Sequence, residues 1–282
     1  MSFSEPPAAA DPMLPADMFA GQVALITGGG SGTGLAMAEA FARCGATVAL
    51  VGRDIERLTQ VSERLGRQGL SAVPIALDVR EPERVCDGFE RVEQTVGPIT
   101  ILANNAGANF PLLAERISPN AWRAVTRIAL DGTFFCCQEF FRRLDGRPGA
   151  IVNNLASYVW LGLPGDAHAA AAKAGQMNLT LTLAAEWGRL GVRVNGLVIG
   201  NYPHAGIPGY DPDKAGPRAI SIPARRPLRA QEIGRAAAFL CSPYARHITG
   251  TNLVIDGGDW LRRDVLKPVF VSPCDRENLW MG

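Results

Sequence analysis

Val23-Ala24-Leu25-Ile26-Thr27-Gly28-Gly29-Gly30-Ser31-Gly32-Thr33-Gly34 opens the regular part of the chain and decides its architecture. An apolar β-type run leads straight into a glycine-rich turn, and a helical pattern over Leu35–Cys44 follows at once. A strand that passes through such a turn into a helix gathers backbone N–H groups and the positive helix end around an anion. Glycines at 28, 32 and 34 let the chain turn tightly against a pyrophosphate, so Thr27, Gly28, Ser31, Gly32, Thr33 and Gly34 are candidate cofactor contacts. Alone, the turn reads equally as a tight loop. Its place between strand and helix at the head of an alternating chain favours a dinucleotide.

Outward from this turn, short β-branched runs alternate with helical stretches. Candidate strands are Val23–Thr27, Thr47–Val51, Ala72–Leu77, Ile99–Ala103, Ala150–Asn153, Val192–Val198 and Asn252–Ile255. That alternation predicts an α/β fold with a doubly wound seven-stranded parallel sheet and helices on both faces. A length of 282 residues with 47% hydrophobic and 20% charged residues suits one large domain, placed at residues 18–260. Residues 1–17, rich in Ala and Pro, read as a disordered leader, and 261–282 as a C-terminal extension. A net charge of +1 gives no footprint for nucleic acid or an anionic membrane. No apolar run approaches the roughly 20 residues of a membrane span. The six cysteines lack metal-ligand spacing and read as reduced, buried thiols of a cytoplasmic protein.

Where the second strand ends, an acidic side chain would bind the ribose hydroxyls of NAD, but Gly52-Arg53-Asp54 stands there. A guanidinium matches a 2′-phosphate bidentately, so Arg53 favours NADP(H). The plainer reading is a solvated Arg53–Asp54 pair. The segment 205–230 is rich in Gly, Pro and cations and reads either as a substrate lid meeting phosphates or as a solvated loop.

The run Asn153-Asn154-Leu155-Ala156-Ser157-Tyr158, followed by His168-Ala169-Ala170-Ala171-Ala172-Lys173, reads as strand end, loop and helix. With the glycine turn in its GxxxGxG form and Asn104-Asn105-Ala106-Gly107 after the fourth strand, the chain resembles the short-chain dehydrogenases/reductases from about Phe19 to Trp260. The resemblance implies a single-domain Rossmann fold, cofactor contacts at Asp78, Val79, Asn105, Ala106 and Gly107, and a Lys173 that bonds the nicotinamide ribose. Three of the family's four catalytic groups are replaced: Ala169 stands for the tyrosine of Tyr-x-x-x-Lys, Ala156 for the serine and Ala129 for the asparagine. After the sixth strand, Ile199-Gly200-Asn201-Tyr202-Pro203-His204 departs from the family's nicotinamide-contacting run: Tyr202 and His204 replace its isoleucine and threonine and offer an alternative donor pair, and Gly200 and Tyr202 are candidate cofactor contacts.

Asn109-Phe110, Glu115 to Trp122 and Ala184-Ala185-Glu186-Trp187-Gly188 narrow the resemblance to the 2,4-dienoyl-CoA reductases of that family. Their mitochondrial type carries a tyrosine fifteen residues before its lysine, the spacing of Tyr158 and Lys173. A ketone reduced to an alkoxide needs an acid at its oxygen, whereas a conjugated thioester that takes hydride at its far carbon becomes an extended enolate needing preorganised donors. The resemblance implies that Tyr158 and Asn109 are those donors, that the substrate is an acyl-CoA, and that the protein is a homotetramer built on the helices Asn120–Phe140 and Ala167–Leu190. Plainer readings stand beside these: Tyr158 as a pocket-wall aromatic, Asn109 as a turn residue, His168 as a packed or interface histidine. Rival functions are a trans-2-enoyl-CoA reductase or another short-chain oxidoreductase of a specialised metabolite, and a nucleotide-binding scaffold or sensor without turnover.

Overall fold

A computed structural model describes residues 4–8, 10, 14–200, 202 and 222–261. His204, most of the expected lid and the C-terminal extension from residue 262 lie outside the described residues. Seven parallel strands form one sheet: β1 Val23–Thr27, β2 Thr47–Gly52, β3 Ala72–Ala76, β4 Ile99–Asn104, β5 Gly149–Ala156, β6 Val192–Ile199 and β7 Asn252–Ile255, in the order β3-β2-β1-β4-β5-β6-β7. The helices used below are α1 Gly32–Arg43, α2 Ile55–Gly66, α3 Pro82–Val96, α4 Pro119–Thr126, α5 Gly132–Leu144, α6 Ala167–Trp187 and α7 Ala230–Cys241. The expected single-domain Rossmann architecture is borne out.

Alternation of side chains along each strand builds two cores. Ala24, Ile26, Val48 and Leu50 enter one with Phe41 of α1, Leu58 of α2 and Ile233 of α7. Val23, Leu25, Ala49 and Val51 enter the other with Phe89 of α3, Phe140 of α5 and Leu183 of α6. A sheet covered on both faces needs apolar residues at both parities, hence the near-continuous runs of β1 and β2. The first half winds outward from β1 to β3, and α3 then returns the chain to β4 on the other side of β1. At that reversal the loops after β1 and β4 diverge and open a crevice at the carboxyl ends of the strands.

Local signals fix the element ends. Ser118 caps α4 by accepting the Ala121 N–H at 3.1 Å, with Pro119 in the first turn. The continuous helix expected over Asn120–Phe140 is interrupted: a wider, π-type turn over Arg127–Asp131 separates α4 from α5. The described residues of the leader meet the domain. Arg229 grips Glu5 through two 2.9 Å bonds, Arg235 donates to the carbonyl oxygens of Pro7 and Ala8, and Leu14 is buried in the first core. These partners lie more than two hundred residues away, so local composition does not reveal them. Of the cysteines, Cys44, Cys136, Cys137 and Cys241 are free and buried as expected, but Cys86 is exposed on α3.

Candidate active site

Asn105 rivets the two loops at the crevice. Its backbone N–H donates to Thr27 Oγ1 at 2.8 Å, its Nδ2 to the carbonyls of Thr27 and Gly28 at 3.0 and 3.3 Å, and the Ala106 N–H reaches Thr27 Oγ1 at 2.9 Å. Gly28 and Gly32 have φ of +67° and +52°, a region that favours glycine. A Cβ on Gly34 would lie 2.3 Å from the Gly28 carbonyl oxygen and 2.5 Å from Asn105 Nδ2, so the turn closes only without a side chain there. Ser31 makes no side-chain cap on α1, leaving the N-terminal amides of a twelve-residue helix for an anion. Asn154 Oδ1 is buried beside this turn without a hydrogen-bond partner among the described residues. A closed glycine turn, open helix amides and an unpaired acceptor fit a dinucleotide.

Thr33 and Asn154 add a polar link across the turn. Asn154 Nδ2 donates to Asn105 Oδ1 at 2.9 Å and to Thr33 Oγ1 at 3.2 Å, and Thr33 Oγ1 itself donates to Asn105 Oδ1. Behind it, Asn104 Nδ2 reaches Asn153 Oδ1 at 2.9 Å and Asn153 Nδ2 reaches Thr180 Oγ1 at 2.9 Å, all three buried.

Around the far end of the crevice, Arg53 is exposed and has no hydrogen bond or ion pair among the described residues. Asp54 is engaged elsewhere: it accepts the Arg57 N–H at 3.0 Å as the cap of α2 and lies 3.9 Å from Arg57 Nε. The Arg57 stem runs against the turn, 3.4 Å from where a Cβ on Gly30 would sit. Arg57 escaped the sequence reading, although it follows Arg53 by one helical turn. Asp78 is clasped by Arg80, whose guanidinium holds its carboxyl below the usual carboxylate range, with Arg53 contributing more weakly. Val79 is buried against Gly132. Gly200 lies so near Asp256 that a Cβ there would fall 2.5 Å from its Cα, and Tyr202 packs on the first core with the charge of Glu39 nearby. Gly107 is exposed in the loop after β4.

On α6, the partly buried Lys173 donates to the carbonyl oxygen of Asn154 and, at 3.0 Å, to Gln176 Oε1. Burial pushes its ammonium down to about 8. Ala169, one turn earlier, is buried and offers no hydroxyl.

At the start of α6 two loops are tied together: Leu112 N–H donates to the Gly165 carbonyl at 2.8 Å, and Asn109 Nδ2 donates to Asp166 Oδ1 at 2.6 Å. An amide nitrogen carries two donors, so Asn109 keeps one N–H for another acceptor. Tyr158, in a short 3₁₀ turn after β5, is pushed up to about 12, first by burial and then by the Asp166 charge. Asp166 is thus a buried carboxylate that bonds one expected donor and acts electrostatically on the other, and no local pattern in the sequence marks it. His168 is fully buried, edge-on to Phe110 with centroids 4.8 Å apart, and its Nδ1 accepts the Ala169 N–H; this is a packed histidine. Phe110, Trp160, Leu161 and Leu163, in the loops that precede α6, are exposed, and Trp160 lies against Trp260 with ring centroids 5.2 Å apart.

The family model described as enoyl-(acyl carrier protein) reductase matches residues 28–259. A probable 2,4-dienoyl-CoA reductase [(2E)-enoyl-CoA-producing] of Bacillus subtilis is 38% identical over 84% of this chain and 96% of its own. A peroxisomal 2,4-dienoyl-CoA reductase [(3E)-enoyl-CoA-producing] of Danio rerio is 37% identical over 87% of this chain and 83% of its own. Among solved structures, a gluconate 5-dehydrogenase of Burkholderia cenocepacia in complex with NADP and tartrate superposes with a TM-score of 0.81 at 31% identity, covering 88% of this chain and 99% of that one. A short-chain dehydrogenase of Bacillus anthracis gives 0.77 at 37%, covering 86% and 98%. With a family model matching residues 28–259, relatives covered over most of their length and solved structures of the same fold, the chain belongs to the short-chain dehydrogenase/reductase family and is an oxidoreductase.

Proposed function

We propose that the chain is an NADPH-dependent reductase of an unsaturated acyl thioester, foremost a 2,4-dienoyl-CoA. The observation that carries this reading is the grouping of Tyr158 and Asn109 around Asp166 while Ala169 fills the place of a ketone reductase's acid. Two neutral donors without an adjacent lysine suit an oxygen that gathers negative charge and is not itself protonated. The names of the Bacillus and Danio relatives support the substrate class, and the exposed apolar side chains of Phe110, Trp160, Leu161 and Leu163 suit an acyl chain.

The bound nicotinamide would supply the hydride to the conjugated carbon. Tyr158 O–H and the second N–H of Asn109 donate to the thioester oxygen as charge builds there. Lys173 holds the ribose, and Asp166 keeps the Asn109 amide turned. Arg53, unpaired among the described residues, and Arg57 along the glycine turn present positive charge to a 2′-phosphate, which favours NADPH over NADH. The exposed Trp122, Phe134 and Leu181 on α4, α5 and α6 support association of copies into the family's tetramer.

NADPH oxidation with a 2,4-dienoyl-CoA, a 2-enoyl-CoA and a β-ketoacyl-CoA side by side tests the proposal. Rapid oxidation with the dienoyl thioester alone is expected, and the position of the product double bond then shows which of the two relatives it follows. Oxidation with the β-ketoacyl thioester alone would overturn it. Bound NADPH with no oxidation would favour the scaffold reading that Ala129, Ala156 and Ala169 invite.

A further inference from the structure

Where the family carries an asparagine, this chain has Ala129, which leaves Lys173 without that neighbour. Yet Lys173 is not left to backbone alone. Its Nζ donates to Gln176 Oε1 at 3.0 Å; Gln176 Nε2 donates to Thr133 Oγ1 at 2.7 Å; Thr133 Oγ1 donates to the Ala129 carbonyl at 2.8 Å. Gln176 is fully buried and Thr133 is 3% exposed. The chain of bonds crosses from α6 to α5 and ends at the wide turn Arg127–Asp131.

From this we infer that Gln176 takes over the positioning of Lys173 that Ala129 cannot perform, with Thr133 as its anchor on the neighbouring helix. The inference rests on the reading of Lys173 as the cofactor lysine. Three physical points support it. A buried glutamine that commits both ends of its amide has one orientation, since a flip would set Nε2 against the ammonium and Oε1 against a hydroxyl already donating elsewhere. Thr133 donates back to the carbonyl four residues earlier, an ordinary helical back-bond that commits its hydroxyl hydrogen and leaves its oxygen to accept from Gln176. Finally, the elements packed on α6, namely β5, β6, α4, the wide turn and the 3₁₀ turns Ser157–Trp160, with the neutral Tyr158, and Gly188–Leu190, with Arg189, place no charged side chain on Lys173 among the described residues, and burial alone acts on its ammonium. An uncharged acceptor therefore decides where the ammonium points without cancelling its charge. Gln176 acts through Lys173 and is a positioning residue.

The test uses the full-length protein and three variants, Gln176→Met, Gln176→Glu and Lys173→Met, with NADPH affinity followed by fluorescence across pH and thermal midpoints of the cofactor-free protein across the same range. Gln176→Met keeps the side-chain volume and removes both bonds; it is expected to weaken NADPH roughly tenfold at neutral pH, the scale of a lost bond to a charged group. It should also move the alkaline fall of NADPH affinity to lower pH. Gln176→Glu sets a carboxylate against the ammonium, so the same fall should move to higher pH, and the pH dependence of the cofactor-free midpoint should move with it. NADPH affinity of Gln176→Met within twofold of the parent, with an unmoved pH dependence and Lys173→Met much weakened, would overturn the inference alone. Lys173→Met binding NADPH like the parent would remove the lysine's role and the inference with it. If Gln176→Met does not fold, the direction of the shift in Gln176→Glu decides: none, or a downward one, is a refutation.

Discussion

Asn154 near the end of β5 and Asn105 after β4 are joined side chain to side chain at 2.9 Å, and both reach Thr33 in the glycine turn. Three segments are thereby locked around the crevice before any cofactor binds. Asn154→Leu should destabilise the cofactor-free protein by about 1–3 kcal/mol, the usual cost of breaking a buried polar contact on one side. Adding Thr33→Val should cost less than its effect alone, with a coupling of at least about 0.5 kcal/mol. Chemical denaturation of the parent, both single variants and the double variant measures this. Strict additivity would mean that the three side chains do not act as one network.

Lys173 makes the stability of the cofactor-free protein depend on pH in an unusual direction. Its folded value of about 8 lies below the ordinary 10.5, so between those limits the unfolded chain holds a proton that the native state does not. Stability from this group is therefore lowest below pH 8 and rises as pH climbs toward 10.5. The full effect is at most about 3 kcal/mol and is smaller to the extent that water reaches the ammonium. Lys173→Met should flatten this rise in thermal midpoint while weakening NADPH. A slope that survives the substitution assigns the effect to other groups.

On the proposed reading, cofactor preference rests on Arg53. Asp54 is committed to the start of α2 and Asp78 is clasped by Arg80, so neither carboxylate is hydrogen-bonded to the Arg53 guanidinium among the described residues. Arg53→Ala should weaken NADPH by roughly 10- to 100-fold, the range of one charge-assisted bond, and leave NADH within about threefold. Titration of both cofactors by fluorescence is sufficient. Equal losses would show that Arg53 serves the fold or the shared part of the dinucleotide.

The sheet was legible because parallel strands covered on both faces read as short, almost unbroken apolar runs; Val48–Val51 is such a run, with Val48 and Leu50 in one core and Ala49 and Val51 in the other. The glycine turn was legible because local chain geometry constrains it, whereas Asn104-Asn105 and Lys173 stood out through the family resemblance. Gln176, Thr133 and Asp166 were not. Gln176 meets Thr133 across 43 residues, and Asp166 meets Asn109 across 57. A glutamine inside a helix pattern, or an aspartate in the turn before one, reads as a solvated position until tertiary structure buries it. The break between α4 and α5 was hidden for a related reason: Arg127–Asp131 has ordinary helical residues, and the wider turn shows only in the backbone.

Tyr158 and Lys173 stand in the reverse relation to a tyrosine and lysine one helical turn apart. There the ammonium lowers the phenol's pKa and prepares it to give up a proton. Here the phenol sits with Asp166 and is pushed up to about 12, while the ammonium is pushed down to about 8. Tyr158 therefore stays an O–H donor throughout the range in which Lys173 loses its charge. Two consequences follow from that order. Turnover should fall on the alkaline side with Lys173, near pH 8, and no tyrosine ionisation should limit it below that. Tyr158→Phe should lower turnover of a dienoyl thioester on the order of 10²–10³-fold, as for loss of one donor to a developing oxyanion, with NADPH affinity unchanged and the position of the alkaline limb unmoved. Turnover equal to the parent's would leave Tyr158 as part of the pocket wall, and a limb that moved with the substitution would make Tyr158 the titrating group and reverse the assignment.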